Sequence, residues 1–405
     1  MNALLDSPYA WRRLAASVTL STMGGIGMWA LTVALPTVQA DFAVTRADIS
    51  FAYSMNMLGF FAGGVAVGRL VDRRGIVFAS ILSALGLAAG FALSAATSSL
   101  ILFAVAQVLV GFSAAATFAP LVADISLWFE RRRGVAVAIA AAGNYIAGAI
   151  WPPIVELGIR DHGWRTTYLA AGALCLLVMI PLALTLKRRA PDHETSQATA
   201  VTRRSLDALG LSPNALQALI ALAGVSCCVA MSMPQVHIVA YCADRGYGVA
   251  AGAEMLSLML GFGIVSRIAS GWLADKVGGV TTLLIGSTAQ AVALLFYLVA
   301  DSLTSLYLAS ALFGLFQGGI VPSYAIIVRE YFPPREAATR VGLAVSATIV
   351  GMALGGWMGG ALFDLTGSYR AAFLNGIAWN VLNAAIAWWL LSRQIRRPPT
   401  RQAAA

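Results

Sequence analysis

The chain is poor in charge. Of its 405 residues only 11% are Asp, Glu, Lys or Arg, where soluble domains carry about a quarter. A soluble protein of this length divides into two or more cores, each coated by polar surface. Too little charge is present for such a coat, while 59% of the residues are hydrophobic. Lipid is therefore the expected solvent for much of the surface. Histidine is scarcer, with three in the whole chain. The four cysteines, Cys175, Cys227, Cys228 and Cys242, lie in or at the end of apolar stretches, with no CxxC pair. They read as small buried side chains rather than metal ligands or disulfide partners. A Walker GK[ST] motif is missing, which argues against ATP as the driving force. The stretch "GFGIVSR" has two glycines of a dinucleotide loop but lacks the third, and no strand precedes it. No enzyme chemistry, cofactor or metal is expected. The N-terminus "MNALLDSPYAWRRLAASVTL" has no clear cleavage site, and its apolar run continues to Pro36. It reads as a retained first helix.

Long apolar runs are what the chain has in plenty. A bilayer-spanning helix needs about 20 apolar residues. Turn-forming and charged residues divide the chain into twelve such runs: 14–38, 49–71, 76–97, 99–128, 134–158, 166–186, 214–242, 252–273, 280–300, 303–330, 339–363 and 371–391. All are expected to be helices, because lipid offers the backbone no hydrogen-bond partner. With the N-terminus placed inside, 21 of the 27 Lys and Arg residues fall on the inner side and 5 on the outer, leaving Arg267 within a run. This split predicts a multi-pass protein of a cell (inner) membrane with both termini cytoplasmic. It also accounts for the net charge of +9 through anionic headgroups rather than nucleic acid. The polar stretch from Lys187 to Pro213 separates six runs from six. The expected division is residues 1–189, a cytoplasmic linker at 190–213, and residues 214–405.

The two halves repeat one another. "GRLVDRRG" (Gly68 to Gly75) follows run 2 and "GWLADKVG" (Gly271 to Gly278) follows run 8, 203 positions later. Gly134, Gly143 and Gly148 recur as Gly342, Gly351 and Gly356 at an offset of 208. "GWRTTYLAAGA" before run 6 echoes "SYRAAFLNGIA" before run 12. Parallel six-helix repeats imply a pseudo-two-fold axis along the membrane normal.

The G-x-L-x-D-R-R-G motif between runs 2 and 3, with its second copy after run 8, resembles the signature of major facilitator superfamily transporters. The resemblance spans essentially the whole chain. It implies an all-α integral membrane fold of two pseudo-symmetric six-helix bundles. It also implies a latch for the outward-open state, formed by Gly68, Asp72, Arg73 and Gly75 with the weaker copy Gly271, Asp275 and Gly278. On this reading Asp72 and Asp275 accept hydrogen bonds from the N-terminus of a facing helix. Glycines four apart (Gly59 and Gly63, Gly64 and Gly68; Gly351, Gly355 and Gly359, Gly356 and Gly360) point to close packing of runs 2 and 11, which the family's architecture places between the halves.

Arg267 is the conspicuous charge. It lies eight residues from Asp275 and thirteen from Glu254, about 12 Å and 20 Å along a helix. An arginine there costs at least about 2.5 kcal/mol and stays charged. Either it reaches for the inner headgroups, or it meets an anion. Its place four residues before "GWLAD" is similar to the monocarboxylate transporter and oxalate/formate antiporter branch, as is "SLWFERRRGVAVAIAAAGNYIAGAIWPP". That resemblance implies a substrate carboxylate bound at Arg267. Two features of the branch are missing. Gly263 stands where an aspartate helps to move the proton, and runs 1 and 11 carry no lysine. One cation suits one carboxylate. Asp124 and His237 are the candidate proton carriers, each weighed against a structural role. For Asp124 that role is partnering Arg131 to Arg133 or a helix end. The proton also has a route through water beside the carboxylate. Asn56, Gln107, Asn144, Tyr145, Gln317 and Tyr324 are candidate cavity residues, each also readable as helix-to-helix packing. The expected function is alternating-access transport of a small organic anion, a monocarboxylate with proton symport being favoured, by a monomer in lipid. Anion exchange, and efflux with a structural Arg267, are the alternatives.

Overall fold

The computed structural model describes residues 5–188 and 209–396. The expected linker at 190–213 lies outside the described residues as far as position 208. Among the described residues there are twelve helices long and apolar enough to cross a membrane. They are span 1 (Pro8–Phe42), span 2 (Arg46–Val71), span 3 (Ile76–Ala96), span 4 (Leu100–Ser126), span 5 (Arg133–His162) and span 6 (Trp164–Thr185). The second half holds span 7 (Pro213–Asp244), span 8 (Gly248–Val277), span 9 (Gly279–Val299), span 10 (Leu303–Tyr331), span 11 (Thr339–Thr366) and span 12 (Tyr369–Ile395).

The helices outrun the apolar segments. Span 8, expected over 252–273, continues to Val277. Once a helix is formed its next hydrogen bond fixes only one more residue, so helices run on to residues that stop them. Glycine does this at both copies of the repeated motif. Gly75 has φ 84° and ψ 165°, and Gly278 has φ 85° and ψ 165°. Positive φ is uncommon for residues with a Cβ, so the same turn in both halves requires the glycine that the repeat retains. Starts are set by caps. Ser7 and Ser212 accept from Ala10 N and Ala215 N. Thr45 and Asp48 form a reciprocal capping box at span 2.

Three spans are interrupted, which the run-based expectation of continuous helices did not include. Span 1 breaks at Gly25. Span 4 passes through a 3-10 turn at Ala115–Thr117. Span 10 breaks at Gly318 and Gly319. The breaks are packed rather than loose. Gly24 lies against Thr117, and Gly318 against the backbone of Gly263 and Arg267. A Cβ at either glycine would collide with its neighbour.

The two bundles meet along spans 2 and 11 and along spans 5 and 8. The part of span 1 remote from the termini, Ile26–Phe42, packs on spans 7 and 8. Contacts between the halves lie at mid-span or towards the end remote from the termini. Ser54 Oγ donates to Ala353 O at 2.6 Å, Ser257 Oγ donates to Ala149 O, and Gly356 and Gly360 rest on Tyr53 and Ser50. Span 7 is buried without interruption from Ser226 to Cys242. Towards the end that bears the termini the same spans separate. A Cβ at Gly64, Gly68, Gly134, Gly271 or Gly342 would meet no neighbour within 4 Å. At this end Asp6 accepts from the backbone N–H groups of Glu130, Arg131 and Arg132. Burial pushes its carboxyl pKa up, but the three N–H donors and the Arg131 charge outweigh that and hold it below the ordinary aspartate value.

Candidate functional site

Arg267 stands where spans 5, 8 and 10 meet. Its Nη1 donates to Ala141 O on span 5 at 3.3 Å. Its guanidinium carbon lies 4.3 Å from the centre of the Tyr145 ring. Its Nε is buried without a hydrogen-bond partner. Among the described residues no carboxylate pairs with it. A ring quadrupole and one carbonyl give partial compensation for a full charge. The guanidinium therefore keeps charge that these contacts do not compensate and that an anion would neutralise.

Gly263, one turn before Arg267, is explained by the same contact. A Cβ there would run into the Tyr145 ring. An aspartate at 263 and this placement of Tyr145 exclude one another. The sequence pattern that lacks the aspartate is thus also the pattern that lets the ring reach the arginine. Asn144, beside Tyr145 on span 5, is half-buried.

The other candidate cavity residues are not brought to this point. Asn56 Nδ2 donates to Gly27 O at 3.0 Å and to Gln107 Oε1 at 3.1 Å, and Gln107 Nε2 donates to Ser94 Oγ at 3.0 Å. Both side chains are sealed inside the first bundle. Gln317 accepts from Gln235 Nε2 at 2.8 Å, and Tyr324 donates to Asn383 Oδ1 at 3.0 Å. Both are sealed inside the second. Each of these side chains has at least one partner on a neighbouring helix, while Asn56 Oδ1 and Gln317 Nε2 are buried without one.

Asp124, read as a proton carrier, is half of an ion pair. Its two oxygens accept from Arg13 Nε at 2.7 Å and Arg13 Nη2 at 2.8 Å. Its partner is thus Arg13 on span 1, not Arg131 to Arg133. Arg13 is 3% exposed, and its remaining Nη1 donates to Leu186 O and Arg188 O. In the second bundle Glu330 accepts from Gly279 N at 2.8 Å, at the start of span 9. His237 is buried in span 7, its Nε2 2.8 Å from Gly356 O and its ring against Tyr369. Of the latch residues, Gly68 and Gly271 face open space and Asp275 is exposed. Arg73 is exposed too. The Asp72 side chain lies outside what is described.

A second charged cluster escaped the sequence reading. It closes the end remote from the termini. Arg46, 5% exposed, donates to Gln39 of span 1, Asp244 of span 7 and Tyr369 of span 12. Asp364 of span 11 accepts from Arg46 N at 3.1 Å and Ala47 N at 2.6 Å. These are free N–H groups of the first turn of span 2, where the helix dipole favours an anion. A carboxylate of one half thus caps a helix of the other. A signal existed in the sequence. Asp244 and Asp364 sit in the last turn of their helices, where an acid opposes the dipole and needs an external partner.

Comparison with known proteins agrees with this architecture. A family model described as "Major Facilitator Superfamily" matches residues 18–305 and 255–405. Among named relatives, monocarboxylate transporter 13 of Rattus norvegicus is 28% identical, over 80% of this chain and 74% of its own length. Monocarboxylate transporter 11 of Homo sapiens is 27% identical, over 91% of this chain and 80% of its own. Among solved structures, a bacterial homolog of the human lysosomal transporter Spinster, in an inward-facing and occupied conformation, superposes with a TM-score of 0.72 at 17% identity, covering 98% of this chain and 100% of that one. The nucleoside transporter NupG superposes with a TM-score of 0.72 at 14% identity, covering 95% of this chain and 99% of that one. With twelve spans in two bundles, a repeated motif and a family match over most of its length, the chain belongs to the Major Facilitator Superfamily of transporters.

Proposed function

We propose that this transporter carries a small monocarboxylate, bound at Arg267, by alternating access between its two halves. One observation carries the reading. Arg267 is a permanent cation inside a membrane span, with no acidic partner among the described residues. The names of the relatives, monocarboxylate transporters 11 and 13, support the same substrate class. Taking the basic end as cytoplasmic, the geometry corresponds to an inward-open state. The seam is packed from the level of Arg267 outwards and parted inwards. In the opposite state the Asp72 motif would close the inner end, as Asp364 closes the outer.

Proton symport makes movement of a monoanion electroneutral. Asp124 is committed to Arg13 and the His237 ring to the Gly356 carbonyl. The proton is accordingly assigned to the carboxylate and its accompanying water. Proteoliposomes with an imposed pH gradient test the reading with lactate, pyruvate, formate and oxalate. Acid on the outside should drive uptake of monocarboxylates. Arg267→Gln should abolish that uptake and leave protein yield and melting temperature near wild type. Normal transport by Arg267→Gln would overturn the assignment. Movement only against a second anion would make the protein an exchanger.

A further inference from the structure

A cavity of about 470 Å³ opens at the basic end between spans 1 and 6. Its wall is rigid. Arg13, saturated by Asp124 and by the Leu186 and Arg188 carbonyls, ties the segment after span 6 to span 1. Tyr9 OH donates to Thr185 O at 3.2 Å across the same gap. Two further cations line the mouth. Arg12 is exposed on span 1, and the Arg188 guanidinium carbon lies 4.9 Å from the centre of the Tyr9 ring. Among the described residues no carboxylate pairs with either. The deeper lining is apolar, from Ala16 and Leu182. Leu184 beside it is 42% exposed on the outside of the bundle.

The cleft is thus cationic at its mouth and apolar in its depth, and it sits where spans 1 and 6 leave the apolar region. A free phosphate would satisfy the mouth and leave the apolar part wet. An anionic phospholipid satisfies both. We propose that this cleft is a binding site for one anionic phospholipid, its phosphate between Arg12 and Arg188 and its acyl chain along Ala16 and Leu182. Basic clefts between helices at a membrane surface recognise headgroups through this combination. Bound there, the lipid bridges spans 1 and 6 of the first bundle.

Native mass spectrometry from neutral detergent, with phosphatidylglycerol or phosphatidylcholine added, tests the site. The wild type should retain one phosphatidylglycerol in preference to phosphatidylcholine. The double variant Arg12→Gln/Arg188→Gln should bind it roughly thirtyfold more weakly, from two lost cations near an anionic group. Arg69→Gln/Arg74→Gln, at the same end of span 2, should change binding less than about twofold. Phosphatidylglycerol should raise the melting temperature of the wild type and not of the Arg12/Arg188 variant. Both variants should melt like the wild type without lipid, since they alter exposed side chains. Undiminished binding by the Arg12/Arg188 variant overturns the site. Equal loss in the Arg69/Arg74 control means diffuse charge and overturns it too. Equal stabilisation by inorganic phosphate would assign the cleft to a soluble phosphate ligand instead of a lipid.

Discussion

Arg267 cannot lose its charge by losing a proton, so its neighbours decide whether it is stable there. The sequence exposed the arginine because a charge in an apolar run is conspicuous. It did not expose Tyr145 as the partner, because the contact joins helices far apart in the chain. A cation over a ring is worth about 0.5–2 kcal/mol. Tyr145→Ala should therefore weaken apparent substrate affinity by roughly 2- to 30-fold, while Tyr145→Phe, which keeps the ring, should stay near wild type; uptake titrations separate the two. Asp124 makes the opposite case. An intramembrane acid was legible, but its role depended on what faced it. Because it faces buried Arg13, Asp124→Asn should strand that charge at a cost of about 3 kcal/mol or more. The melting temperature should fall markedly, and Arg13→Met/Asp124→Leu should melt above the single variant. A lone loss of proton-driven uptake, with unchanged melting, would restore the proton-carrier reading.

At the scale of helices, span 11 carries two glycine rows with different duties. Gly351, Gly355 and Gly359 face Val225, Val229 and His237 of span 7, within one bundle. Gly356 and Gly360 face Tyr53 and Ser50 of span 2, in the other bundle. Likewise Gly59 and Gly63 meet span 4 of their own half, at Val108 and Phe112. The spacing announced small faces but not which neighbour each face met. Gly355→Ala should cost about 1–3 kcal/mol as overpacking inside a fixed bundle, read as a lower melting temperature. Gly356→Ala acts on a seam that can part. It should raise labelling of outer-end cysteines more than it lowers melting. Equal effects of the two on both readouts would mean that the rows do not differ.

At the scale of the molecule, one charged seal closes the seam, at the end remote from the termini. The repeated Asp motif drew attention to the end that bears the termini. The engaged carboxylate in this conformation is at the end remote from the termini, where Asp364 caps span 2 and Arg46 gathers spans 1, 7 and 12. The physics is the one anticipated for Asp72, an acid on the N-terminus of a helix from the other half. Charge-assisted hydrogen bonds of this kind contribute about 1.5–3 kcal/mol each. Asp364→Asn should therefore shift the balance towards opening at the end remote from the termini by about tenfold or more. Maleimide labelling of a cysteine placed at Ala47, whose side chain takes no part in the cluster, measures it, against a background in which the four native cysteines are buried. Unchanged labelling would reduce the cluster to packing.

The amino-acid sequence alone determined the solvent, the number of spans and the two-fold repeat. Each follows from local quantities: apolar run length, the placement of cations, and glycines that a turn at φ 84° to 85° demands. It also marked Arg267, since an unneutralisable charge in lipid is a local anomaly. Tertiary structure decided which polar groups are spent. Asn56, Gln107, Gln317 and Tyr324 resemble cavity residues until a neighbouring helix supplies their partners. Asp124 resembles a proton site until Arg13 closes on it. The Arg46 seal exists only because the ends of five helices converge. Hydrogen bonds and ion pairs between helices depend on which faces meet, and a helix's own periodicity carries no record of the helix that will pack against it.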